Sequence, residues 1–64
     1  MRCVLRDRRL AQGLSQYDLE LMTGISKHSI SAYENGRSDM TVRTAAKLAL
    51  SLNCSVDDLF EYHA

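Results

Sequence analysis

"LMTGISKHSISAYENG", residues 21–36, decides the fold of this chain, because it sets a glycine turn between two short helical runs and follows it with a polar, serine-rich segment. "TGIS" at 23–26 is a turn of the length that joins two steeply crossing helices, with Ile25 as the apolar residue that anchors the crossing. Ser26 is an N-cap residue, and Ile30 and Tyr33 mark one face of the helix that it starts. The opposite face of that helix carries Lys27, His28, Ser31, Ala32 and Asn35. Lysine and histidine donate to guanine edges or phosphates, a serine hydroxyl donates or accepts, and an alanine methyl suits a thymine methyl. Periodicity alone leaves this stripe equally well explained as the solvated side of an amphipathic helix.

Outward from this segment, the same punctuation recurs. Gly13, Gly24 and Gly36 stand about one short helix apart, and the chain has no proline. Apolar residues between the glycines fall at helical spacing: Leu5, Leu10 and Leu14, then Leu19 and Met22, then Ile30 and Tyr33, and finally Ala45, Leu48, Ala49 and Leu52. Ser15 with Asp18, and Ser55 with Asp58, match the capping pattern in which a hydroxyl and a carboxylate satisfy the first turn of a helix, and Thr41 is a simpler cap. The spacing predicts five helices, over about residues 3–12, 16–23, 27–35, 42–52 and 56–61, and leaves room for a strand only in the last few residues. The expected fold is all-α, one domain over 1–64 with a helix-turn-helix motif at about 16–35.

Composition narrows the class. A chain of 64 residues buries only roughly 60% of the surface its unfolded form exposes, so a partner subunit would help it. The 45% hydrophobic and 25% charged content is that of a globular domain, and no apolar run approaches the ~18 residues needed to cross a bilayer. The charged start, "MRCVLRDRRL", does not suit a secretory signal, and a cytoplasmic location is expected. Net charge is zero, which by itself gives no support to a nucleic-acid partner. Its distribution is uneven: residues 1–37 carry six basic against four acidic side chains, and residues 38–64 carry two against four. Cys3 and Cys54 have neither metal-ligand nor CxxC spacing, and Cys54 is expected to be a small buried hydrophobe. His28 and His63, the two histidines, join no nucleophile, carboxylate pair or phosphate loop at a usable spacing, so neither an enzyme, a metal site nor a cofactor is expected.

"LRDRRLAQGLSQYDLELMTGISKHSISAYENGR", residues 5–37, resembles the DNA-binding domain of the Cro and CI (Xre-type) bacterial and phage regulators, and "TVRTAAKLALSLNCSVDDLF" resembles its closing helices. The pieces "GLSQ", "TGIS", "AYENG" and "SVDDLF" stand in the family's order and at its spacing. The resemblance implies a compact five-helix lambda-repressor-like domain that binds double-stranded DNA. It implies that Gln16 grips a phosphate and braces the first residues of the recognition helix, that Lys27, His28, Ser31 and Ala32 read bases, and that Asn35 and Arg37 contact phosphates beyond it. Ser26, at the start of that helix, joins the phosphate set, and Arg9 and Glu34 match a structural ion pair between the first and third helices. Glu20 departs from a small alanine usual in the family, Arg8 from an apolar residue and Met40 from a proline.

The expected function is therefore a sequence-specific transcriptional regulator, a repressor that binds a palindromic operator as a homodimer in a bacterial or phage setting, associated with the nucleoid. With no room for a separate oligomerisation domain, the dimer contact is assigned to Leu50 and to the last helix and tail, Leu59, Phe60, Tyr62 and His63. Leu50 and Leu21 serve equally well as scattered surface apolars. A protein-interaction module such as an antitoxin or anti-repressor partner, built on the same fold, is the rival reading. The neutral charge favours it, and the set Gln16, Lys27, Asn35 and Arg37 argues against it.

Overall fold

The computed structural model describes residues 2–62. Four α-helices follow a short first strand: β1 (Arg2–Cys3), α1 (Leu5–Ala11), α2 (Gln16–Thr23), α3 (Lys27–Glu34) and α4 (Val42–Ser51), after which a single 3-10 turn (Val56–Leu59) leads into β2 (Phe60–Glu61). The fold is mainly helical, but two of the expectations change. The fifth helix is replaced by the 3-10 turn and a strand, and the ends of the domain pair as a two-stranded antiparallel ribbon with Arg2 opposite Glu61 and Cys3 opposite Phe60. The reason is length. A four-residue turn closes with i to i+3 bonds and cannot complete an α-helical ladder, and Phe60 at φ −134° is already extended. Val4, which starts α1 without a side-chain cap, sends its N–H to the Leu59 carbonyl at 2.8 Å, so the two ends satisfy each other.

The helix starts obey local chemistry. Ser15 and Ser55 both form complete capping boxes, with Asp18 and Asp58 respectively, and Ser26 and Thr41 accept from the amides of Ser29 and Thr44. α2 ends at Gly24, whose φ of 76° lies in the left-handed region, so the chain can turn sharply into α3 without a Cβ penalty.

The core is one cluster: Leu5, Leu19, Ile30, Ala45, Leu48, Ala49, Leu52 and Leu59. Ile25, Tyr33, Met40 and Val56 pack against it half-buried, as does Cys54, whose thiol is pushed up in pKa by that burial against the pull of Arg8. Leu10 and Met22, which share the helical spacing of the core residues, are exposed. In helices of seven and eight residues the apolar row turns past the line of contact before it ends. Polar side chains fasten α1 to the far end of the chain: Gln12 Nε2 donates to the Leu52 carbonyl at 2.6 Å, and Arg8 Nε donates to the Asp58 carbonyl at 3.1 Å. Arg8 thus has a structural partner at the far end of the chain.

Candidate nucleic-acid interface

α2 and α3 meet through a turn in which nearly every polar group has a local partner. Thr23 Oγ1 donates to the Leu19 carbonyl at 2.7 Å and accepts from the Ile25 N–H at 3.1 Å, and the Gly24 N–H closes on the Glu20 carbonyl at 2.8 Å. Ser26 Oγ accepts from the Ser29 N–H at 3.1 Å. The start of α3 has a second cap: Glu20 Oε1, reaching across from α2, accepts from the Lys27 N–H at 2.7 Å. In the sequence, Glu20 stands out only as a departure from a small residue. It is a crossing clamp instead, and no local motif signals it, because its partner is seven residues along the chain.

Lys27 and His28 stand exposed on the first turn of α3. Ser31 and Ala32, one turn on, are half-buried, so the polar stripe is deeper in the fold at its middle than the helical spacing implied. At its C-terminal end a polar bracket forms. Asn35 Nδ2 donates to the Ser31 carbonyl and hydroxyl at 2.8 and 3.2 Å, Arg37 Nη2 donates to the same hydroxyl at 3.4 Å, and Arg6 Nη2 donates to Asn35 Oδ1 at 3.1 Å. Ser31, Asn35 and Arg37 are thus brought together, with Arg6 added from α1. Arg6 had no assigned role, although its position three residues before Arg9 puts both on one face of α1.

Glu34 sits beneath this bracket with its side chain shielded from solvent. It accepts from Arg9 Nε at 2.8 Å and Nη2 at 3.0 Å, from Gln16 Nε2 at 3.1 Å and from Arg6 Nε at 3.3 Å. Arg9 also donates to the Leu14 carbonyl at 2.8 Å. Gln16 therefore contacts the end of α3, not its first residues, and the bracing expected of it falls to Glu20. Burial on its own raises the Glu34 carboxyl, but the hydrogen bonds from Arg9 and Gln16, the charge of Arg9 and the bond from Arg6 together hold its pKa below the ordinary value. The same bond to Glu34 raises Arg9 further. Asp18 and Asp58 are lowered by the backbone N–H groups of Ser15 and Ser55 that they accept from.

The sign for stability follows directly. Carboxyl groups depressed in the folded state contribute above their unfolded pKa of about 4 and lose that contribution as pH falls through the lower folded values. The thermal midpoint should therefore hold level between pH 7 and about pH 5, then fall steeply below about pH 4, in calorimetry at fixed ionic strength.

The residues assigned to a dimer contact are scattered in their setting. Leu50 is 78% exposed and Tyr62 is exposed, with its hydroxyl 3.4 Å from Asp57 Oδ1. Leu59 is fully buried in the core and offers no surface, because the 3-10 turn aims it inward beneath α4. Phe60 is half-buried and lines a cleft of about 210 Å³ with Cys3, Tyr33 and Met40. His63 lies outside the described residues. Among the described residues no three histidine, cysteine or acidic side chains form a metal-holding group, and no helix is long and apolar enough to cross a membrane.

Comparison with known proteins gives a consistent picture. The profile of the HTH_3 helix-turn-helix family matches residues 5–59. The SPbeta prophage-derived HTH-type transcriptional regulator YopS of Bacillus subtilis is 33% identical over 61 residues, which cover 94% of this chain and 82% of YopS. An HTH-type transcriptional regulator of Archaeoglobus fulgidus is 32% identical over 60 residues, 94% of this chain and 86% of the relative. Among solved structures, the restriction-modification controller protein C.AhdI from Aeromonas hydrophila superposes with a TM-score of 0.82 at 32% identity, over 88% of this chain and 85% of the other.

Proposed function

The chain belongs to the HTH_3 (Xre-type) helix-turn-helix family of DNA-binding transcriptional regulators, and from that membership we propose that it is a cytoplasmic, nucleoid-associated repressor that binds a two-fold symmetric operator as a homodimer. The observation that carries the reading is the first turn of α3, where Lys27 and His28 are exposed on a helix whose start is held by Ser26 and Glu20. In this reading α3 enters the major groove start-first, Lys27 and His28 read base edges, and Ser31 and Ala32 line the groove one turn deeper. Phosphates are held by Gln16, Ser26, Asn35 and Arg37. One Gln16 amide proton serves Glu34 and leaves the second for a phosphate, while Asn35 exchanges its Ser31 contact for one.

A single domain of this size reaches few bases, so useful affinity calls for two copies on half-sites about 34 Å apart. The exposed Leu50 and Tyr62 are the apolar groups in the proposed dimer contact. Repression follows from occupancy, because a bound dimer obstructs polymerase.

Selection of duplexes from a random pool at about 150 mM salt tests this: a two-fold symmetric motif supports the reading, and no enrichment favours the protein-interaction alternative. On the selected operator, Lys27→Ala or His28→Ala should cost about 1–3 kcal/mol and relax preference at one position. Arg37→Ala should weaken all sequences alike and reduce the slope of log K against log salt by about one. Fluorescence anisotropy between 50 and 200 mM salt separates the two outcomes.

A further inference from the structure

Glu20, on α2, places a negative charge where the two motif helices cross. The structure shows where it goes. Glu20 spans from α2 to α3 and accepts the Lys27 N–H at 2.7 Å, a short charge-assisted bond at the positive end of the helix dipole. Two consequences follow from one contact. The first turn of α3, with Lys27 and His28 on it, is tied to α2 by a bond in addition to the Ser26 cap. A formal negative charge also stands at the start of α3, where it offsets the positive end of the dipole and the Lys27 charge. The net charge is zero, so Glu20 cancels the single unit of positive charge that the remaining side chains would otherwise carry.

We propose that Glu20 is a specificity-determining residue: its charge lowers affinity for any duplex, while its cap holds the first turn of α3 in the register that reads bases. This deepens the operator-binding reading and rests on α3 being the helix that enters the groove. Non-specific binding is almost wholly phosphate attraction, so a carboxylate close to the backbone weakens it directly. Operator binding depends in addition on the placement of Lys27 and His28, so it gains from the cap what it loses to the charge. The ratio of the two affinities rises as a result. Glu20 need touch no base to do this, and its role is that of a positioning and charge-setting residue.

Glu20→Gln is the informative variant, because the amide keeps the length and an acceptor oxygen, removes the charge, and leaves a weaker neutral cap, so that operator binding loses in positioning part of what it gains in phosphate attraction. Affinities of wild type and variant are measured on the selected operator and on a scrambled duplex of the same composition, at 50 and 200 mM salt. Thermal midpoints establish that each protein is folded. The expected result is scrambled-duplex binding tightened roughly 3- to 10-fold at 50 mM salt, operator binding changed less than about twofold, and the difference shrinking at 200 mM as screening shortens the range of the charge. Glu20→Ala, which also removes the acceptor, should tighten scrambled binding similarly and weaken operator binding about tenfold. An equal shift on both duplexes, or no shift on either, with the operator preference of the wild type intact, overturns the role of Glu20 alone. A wild-type protein that prefers no duplex overturns the operator-binding reading and this role with it.

Discussion

Glu34→Ala is expected to unfold the domain. Its carboxylate is enclosed and accepts four hydrogen bonds, three of them from Arg6 and Arg9 and one from Gln16, and Arg9 is itself buried between α1 and α3. Removing the acid leaves the Arg9 guanidinium enclosed with only the Leu14 carbonyl, a loss of roughly 3–5 kcal/mol for a buried pair broken on one side. A 64-residue domain has only about 3–10 kcal/mol to lose, at roughly 0.05–0.15 kcal/mol per residue. Urea denaturation should therefore give a midpoint near zero or no folded baseline. Replacing both partners with apolar residues of similar size, Arg9→Met with Glu34→Leu, should recover most of the loss, because no charge is then stranded. A Glu34→Ala protein with a wild-type midpoint would show that the pair contributes little.

Leu19→Ala should have the next largest effect, about 2–5 kcal/mol. Leu19 is fully buried on α2, the helix that packs against both α3 and α4, so the cavity opens where three helices converge and cannot close by moving one of them. Leu21, two residues along, is 67% exposed, and Leu21→Ala should change stability by less than about 0.5 kcal/mol. The contrast in denaturation midpoints between these two leucines tests the placement of the core. Similar midpoints would mean that α2 is rotated from the orientation described.

Several features were legible because their causes are local. The caps at Ser15, Ser26, Thr41 and Ser55 each use a hydroxyl and an amide three residues away, so their geometry is contained in the sequence itself. Leu5, Leu19, Ile30, Ala45, Leu48, Ala49 and Leu52 lay on helical faces that periodicity identifies, and all of them are in the core. Leu10 and Met22 had the same periodicity and are exposed, since spacing gives a face and not whether another element covers it. The capping box at Ser55 points to a helix over 56–61, but a cap starts a turn without setting its length. The partner of Arg9 came from resemblance to a family, and nothing in the spacing of residues 9 and 34 points to it.

The sequence alone determined the starts of α2, α3 and α4, the glycine turn between α2 and α3, the polar face of α3 and the family, all of which depend on residues within a few positions of one another or on motifs in fixed order. Tertiary structure decided what depends on distant residues meeting. It turned the chain ends into a ribbon, buried Leu59, gave Glu34 to Arg6 and Gln16 as well as Arg9, and placed Glu20 on the first amide of α3. Hydrogen bonds and burial require proximity in space, and proximity between residues far apart in the chain exists only once the helices have packed.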